Sequence, residues 1–105
     1  MKIVIYQTSD LHGYIYPTNY VNDQPLGFLK IASYILNDEK NYDASLKIDC
    51  GDLVQGSALT HFLSKQAIDE NPIIKGLEAI NYNAYVLGNH EFNYGLNYLK
   101  NAYDK

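Results

Sequence analysis

An α/β fold, with a mostly parallel sheet flanked by helices, is predicted by three observations. Short apolar runs rich in β-branched residues recur three times, stretches of helical periodicity separate them, and a chemistry-bearing string follows each run directly. The strings are Asp10-Leu11-His12, Gly51-Asp52 and Gly88-Asn89-His90-Glu91. In open α/β sheets ligands bind outside the carboxyl ends of the strands, so residues distant in sequence become neighbours there.

Residues 2–8 (KIVIYQT) form a nearly unbroken apolar run, as expected for a parallel strand covered on both faces. A loop with Gly13, Pro17 and Asn19 follows, and Pro25 and Gly27 lead into Phe28, Ile31, Ala32, Ile35 and Leu36, spaced as one face of an amphipathic helix. Residues 45–49 (SLKID) predict a second strand, entering a tight turn at Gly51. Leu59, Phe62 and Leu63 predict a helix starting near Ser57. Asn71 and Pro72, a capping side chain followed by proline in the first turn, predict another through Ile73, Ile74, Leu77 and Ile80. A third strand is expected at 84–87 (AYVL), and a last helix through Leu96, Leu99, Ala102 and Tyr103 to the end. This order implies right-handed crossovers, with no linker or repeat dividing the chain.

At 105 residues and 47 % hydrophobic content, the chain is of single-domain size with a modest core. Twelve acidic side chains against eight lysines and no arginine give a formal charge of −4, with no basic stripe to grip a nucleic-acid backbone. That argues against polymeric nucleic acid but leaves a small phosphorylated ligand open, because bound cations can supply positive charge. The single cysteine, Cys50, forms no internal disulfide and favours a cytoplasmic protein. No window has the length of a membrane span, and the first apolar run is too short for a signal-peptide core, so the N-terminus reads as mature structure. Eleven tyrosines read as compositional bias.

The strings carry the donors that hard divalent cations take: carboxylate, amide and imidazole. If the first strand continues through them, Asp10 and His12 project on one side and can share a cation. Alone, the pair is equally a turn carboxylate beside a solvated imidazole. Asp52 can bridge two ions about 3.5–4 Å apart through its two oxygens, or act as a helix-capping or Asx-turn aspartate. Asn89 and His90 are the more specific signal, a neutral amide for a second cation next to an imidazole free to handle protons. Glu91 reads as support behind the ligands or as a surface acid. His61 reads as a surface or helix-packing residue, Asp49 as a possible outer hydrogen-bond partner, and Cys50 as a small apolar group. Tyr14, Tyr16 and Tyr94 can approach a nucleobase or simply pack around the loops.

TSDLHG (8–13), GDLVQGS (51–57) and GNHEFNYG (88–95), in that order, resemble the N-terminal part of the calcineurin-like metallophosphoesterases. The resemblance is to the branch containing 5'-nucleotidases and 2',3'-cyclic-nucleotide 2'-phosphodiesterases. It implies the first half of a four-layer αββα domain. It also implies that Asp10 and His12 bind one metal, Asp52 bridges, Asn89 binds the other, and His90 sits beside the transferring phosphate. Two divalent ions (Mn, Zn, Co, Fe or Mg) would lower the pKa of a bridging water from about 15.7 towards about 7. That is worth on the order of 12 kcal/mol in forming the hydroxide nucleophile.

The 5'-nucleotidases of this branch carry aspartate three residues after the histidine, whereas the cyclic-nucleotide members resemble this chain in carrying asparagine, here Asn93. An amide orients the ring but does not stabilise its protonated form as a carboxylate does. The implied activity is therefore 2',3'-cyclic-nucleotide 2'-phosphodiesterase/3'-nucleotidase, with a nucleotide or cyclic nucleotide as substrate. A 5'-nucleotidase or UDP-sugar hydrolase, and a non-catalytic metal-binding assembly module, stand as alternatives.

The family completes both metal shells with later histidines, in a Gly-His and a Gly-His-x-His string beyond residue 105. Residues 1–105 thus read as the first part of the catalytic domain, without its remainder or the C-terminal nucleotide-binding domain. Four further expectations follow: little activity for this stretch alone, one carboxylate of Asp10 and Asp52 raised in pKa by like charge, an exposed sheet edge, and self-association through it.

Overall fold

β1 (Ile3–Thr8) runs parallel to β2 (Ala44–Asp49) in a six-residue register from Ile3 opposite Ala44 to Thr8 opposite Asp49. β2 in turn pairs in parallel with the short β3 (Ala84–Tyr85). The computed structural model describes residues 1–16, 27–66 and 70–103, so Pro17, Asn19 and Pro25 of the expected first loop lie outside the described residues. Within it, α1 (Phe28–Asp38) links the first two strands, α2 (Ala58–Ser64) and α3 (Pro72–Ala79) precede β3, and α4 (Leu96–Tyr103) follows it. Single 3-10 turns occupy Glu39–Asn41 and Asn89–Phe92. The predicted order of elements is thus observed, in an α/β fold with a three-stranded parallel sheet.

Local chemistry explains where the helices start. Ser57 Oγ accepts from the Thr60 amide while Thr60 Oγ1 accepts from the Ser57 amide, a reciprocal cap at α2. Asn71 Oδ1 accepts from the Ile73 amide at 2.9 Å, with Pro72 in the first turn of α3 where its missing N–H costs nothing. α1 lacks a capping side chain. Instead its first amides, Phe28 and Leu29, donate to the carbonyls of Tyr14 and Ile15, tying the helix to the loop that leaves β1.

The third strand ends two residues early. Val86 still donates to the Asp49 carbonyl at 2.8 Å, but β2 turns away at Cys50 and Gly51, leaving residue 87 no strand opposite. That early exit frees residues 88–91 to fold back over the end of β2.

The core lies between the helices and one face of the sheet. Phe28, Ala32 and Ile35 from α1 meet Leu53 and Val54 from the loop after β2, Leu63 from α2, Ile73, Ile74 and Leu77 from α3, and Ala102 from α4. Each large apolar side chain so buried contributes about 1.5–3 kcal/mol. The expectation that β1 is covered on both faces is not met. Ile3 and Ile5 are 61 % and 65 % exposed, because alternation along β1 sends them to the face that no described helix covers. β1 and β3 are the two edges of the three-stranded sheet.

The covered face of β2 is polar at two positions. Lys47 is buried and satisfied, its ammonium donating to Glu39 Oε2 at 2.6 Å and to the Ile80 carbonyl at 2.8 Å. Asp49, fully buried, accepts from the Gly51 amide and the Thr8 hydroxyl. Among the described residues no helix is long and apolar enough to cross a membrane.

Candidate metal centre

β1 stops at Thr8, and the chain beyond it is not strand: Asp10 and His12 both take positive φ, 57° and 50°. The expected route to proximity, alternate residues of one continuing strand, is therefore replaced by another. The Asp10 amide donates to the Gly51 carbonyl and the His12 amide to the Asp52 carbonyl, each at 2.9 Å, so the first loop is docked against the second. Asp52 also adopts positive φ, 54°. Left-handed backbone is strained for non-glycine residues and persists only where surrounding contacts over-determine it. Here it turns three side chains onto one point: one ligand atom each from Asp10, His12 and Asp52 lie within 4.8 Å of one another.

His12 is oriented from behind. Its Nδ1 lies 2.6 Å from the Gln55 carbonyl, which only accepts, so Nδ1 carries the hydrogen and Nε2 keeps its lone pair towards Asp10, 3.7 Å away. Gly56, at φ 125°, is the next residue along that loop. A Cβ there would lie 2.6 Å from His12 Nδ1 and 2.9 Å from its Cβ, so only glycine lets the loop approach the ring.

The third string arrives on the 3-10 turn that Asn89 opens. The His90 amide donates to Asp52 Oδ1 at 2.9 Å, and the His90 ring stands edge-on to the His12 ring with centroids 5.5 Å apart. Asn93 Nδ2 is 3.0 Å from His90 Nδ1. All three strings therefore meet at one end of the sheet, with Asn89 adjoining the residue that holds Asp52.

Electrostatics differ from expectation at Asp52. Its carboxyl is held below the ordinary range, first by the hydrogen bond from the His90 amide and further by the two imidazoles, against an opposing push from burial. Like charge from Asp10 does not raise it. Asp49 is raised, chiefly by burial, with Glu91 and Asp10 adding to the push and the hydrogen bonds from Gly51 and Thr8 opposing it.

Glu91, left open between support and surface acid, is 1 % exposed. It accepts from the backbone amides of Asp52, Leu53 and Gly88, and the Tyr103 hydroxyl reaches its Oε1 at 3.3 Å. The contributions of Gln55 and Tyr103 were missed in the sequence. One acts through a backbone carbonyl and the other from a helix twelve residues on, and neither leaves a local pattern. His61 is exposed and packs edge-on to Tyr94, which also meets Tyr98, in keeping with helix packing. Cys50 is half-buried, its amide bonded to the Thr8 carbonyl.

Carboxylate oxygen and imidazole nitrogen converging at this spacing are a fitting donor set for a hard or borderline divalent ion. Known proteins carry the same arrangement of elements. The chain is 40 % identical over 104 residues to a Haemophilus influenzae protein named 2',3'-cyclic-nucleotide 2'-phosphodiesterase/3'-nucleotidase, an alignment covering 93 % of this chain and 16 % of that one. A Staphylococcus aureus structure described as a candidate 5'-nucleotidase superposes with a TM-score of 0.87 at 41 % identity, over 95 % of this chain and 20 % of that one. The YfkN phosphoesterase structure from Bacillus subtilis superposes with a TM-score of 0.84 at 34 % identity, over 92 % and 32 % respectively. The chain thus spans about a sixth of the length of the curated relative. The calcineurin-like phosphoesterases use divalent metals, and with residues 3–105 matching that family's model, the chain belongs to the calcineurin-like phosphoesterase family.

Proposed function

We propose that this chain supplies the first half of a two-metal site that hydrolyses nucleotide phosphoesters, acting as a 2',3'-cyclic-nucleotide 2'-phosphodiesterase/3'-nucleotidase. The observation that carries the reading is the convergence of Asp10, His12 and Asp52 within 4.8 Å, with the His90 amide on Asp52 Oδ1. The name borne by the Haemophilus influenzae relative supports the substrate class. Bound there, divalent ions supply Lewis acidity that brings water ionisation towards neutral pH.

The protein residues divide the remaining work. Asp10 and His12 would hold one ion, His12 through the Nε2 that its bond to Gln55 leaves free. Asp52, its Oδ1 already fixed by the His90 amide, would be shared between the two ions. Asn89 would serve the other ion through its amide oxygen. Asn93 Nδ2 can only donate, so His90 Nδ1 accepts and the neutral ring keeps its hydrogen on Nε2. That hydrogen is the one His90 offers in a hydrogen bond to a phosphate oxygen, stabilising the charge that builds there. Asn93 in place of a carboxylate favours the cyclic-nucleotide reading over a 5'-nucleotidase.

The test is hydrolysis of 2',3'-cyclic AMP and 3'-AMP with added manganese by the complete polypeptide and by its His90→Ala variant. Lost turnover with manganese binding retained supports the reading. Unchanged turnover in the variant overturns it in favour of a non-catalytic metal-binding module. Residues 1–105 expressed alone are expected to turn over little, because the second ion would keep only Asp52 and Asn89 as protein ligands. They are also expected to self-associate through the edge of β1 and the open face bearing Ile3 and Ile5. A monomer in sedimentation across a concentration series contradicts that part.

A further inference from the structure

Two loops at the end of the sheet are held by an exchange of carboxylates. Asp52, on the loop after β2, accepts the His90 amide on Oδ1 at 2.9 Å. Glu91, on the loop after β3, accepts the Asp52 amide on Oε2 at 2.8 Å and the Leu53 amide on Oε1 at 2.6 Å. Each loop thus donates backbone to the other's side chain. Oε2 takes a second amide from Gly88 at 3.0 Å, and Oε1 a hydroxyl from Tyr103 on α4 at 3.3 Å. The backbones touch where the exchange occurs: a Cβ on Gly88 would collide with Asp52, and a Cβ on Gly51 would collide with Gly88.

Glu91 receives four donors on two oxygens, which is the full acceptor capacity of a carboxylate. Glutamine is no substitute, since it offers one accepting oxygen and would aim an NH2 group at two N–H or O–H donors. The strained residue in the exchange is Asp52, at φ 54°. Its own amide and the next one along the chain are both given to Glu91, which makes Glu91 the contact that over-determines that conformation.

We propose that Glu91, seconded by Tyr103, is a positioning residue that sets the orientation of Asp52 towards the cations and its spacing from His90; this rests on the metal-site reading above. All four acceptor positions of Glu91 are taken by protein donors. It acts through the backbone of Asp52, and removing it loosens the metal site before it unfolds the protein.

The experiment measures manganese affinity by calorimetry or electron paramagnetic resonance on the complete polypeptide, well below its melting temperature, with circular dichroism as a check of folding. Glu91→Gln is expected to weaken binding 10–100-fold, the range for groups that orient metal ligands. Tyr103→Phe, which removes one donor of four, is expected to weaken it a few-fold and keeps the test open should Glu91→Gln fail to fold. His61→Ala, outside the exchange, is expected to bind as the parent does. If Glu91→Gln is folded, or Tyr103→Phe alone is available, and manganese affinity equals the parent's while Asp52→Asn loses it, the metal reading survives and the positioning role is overturned. If the parent itself binds no manganese, both fail together.

Discussion

Lys47 and Glu39 form one charged cluster and Asp10, His12 and Asp52 another, and the two meet the cost of removing charge from water in opposite ways. Lys47 is 3 % exposed, its ammonium pairs with Glu39 and donates to the Ile80 carbonyl, and it sits on regular strand backbone. In the other cluster two carboxylates and an imidazole converge, and among the described residues no lysine forms an ion pair with either acid. Three of the four described non-glycine residues with positive φ lie there. Where charge is neutralised internally, the backbone is ordinary. At the proposed cation site, where no lysine among the described residues pairs with either acid, the backbone carries strain that stability alone would not select.

The comparison breaks most sharply at Asp52. On the proposed two-ion reading, substitution by asparagine removes the carboxylate charge that would be shared between the ions, and loss of several kcal/mol of Lewis-acid stabilisation lowers kcat/KM on the order of 10³-fold. Kinetics on the complete polypeptide with 2',3'-cyclic AMP check this, and the melting temperature is expected to fall, because the His90 amide and the two imidazoles make the fold favour the ionised carboxylate that asparagine removes.

The opposite outcome is expected at the paired cluster. Glu39→Ala leaves the Lys47 ammonium buried with one carbonyl, which costs about 3 kcal/mol of stability by urea denaturation and leaves metal affinity untouched. The pH dependence has a definite sign. Glu39 is held below the ordinary carboxylate range, first by its hydrogen bond to Lys47, so its contribution is present above the unfolded value of about 4.3 and disappears as pH falls through the lower folded value. The separation between the unfolding curves of the parent and Glu39→Ala should narrow as pH falls below about 4.3; a separation that does not narrow contradicts the assignment.

Gly56→Ala sharpens the comparison from the metal side. The added methyl meets the His12 ring at an already unfavourable φ, so about 1–3 kcal/mol of strain and a roughly tenfold weaker manganese affinity are expected together. A change in stability with unaltered affinity argues that the Gln55 loop does not orient His12.

The smallest effect concerns Tyr85, whose buried hydroxyl has no hydrogen-bond partner among the described residues. Tyr85→Phe removes an unsatisfied donor from a site packed by Tyr82 and Tyr103, and is expected to raise stability by up to about 1 kcal/mol. A loss of more than that indicates a partner for the hydroxyl.

Much of the fold was legible because its signals are local. Ser57 and Asn71 cap the helices where their spacing to the apolar runs predicted, and β1 and β2 fall within one residue of the runs 2–8 and 45–49. What was misread depends on distant partners. Residues 86 and 87 carry the composition of a strand but lose their neighbour when β2 turns at Gly51. Lys47 carries no local signal of burial; it is buried because Glu39, eight residues back, and the Ile80 carbonyl accept from its ammonium. Glu91 was undecided for the same reason.

The sequence by itself determined which donors are present and on which end of the sheet they fall, because strand and helix periodicity are properties of consecutive residues. Tertiary structure alone decided how they meet. Asp10 and His12 share a site through left-handed turns bonded to the Gly51 and Asp52 carbonyls, and Asp52 is aimed by the amide of His90 and held by the carboxylate of Glu91. Those contacts span about forty residues, and a hydrogen bond of that reach has no period in the chain for a reader to find.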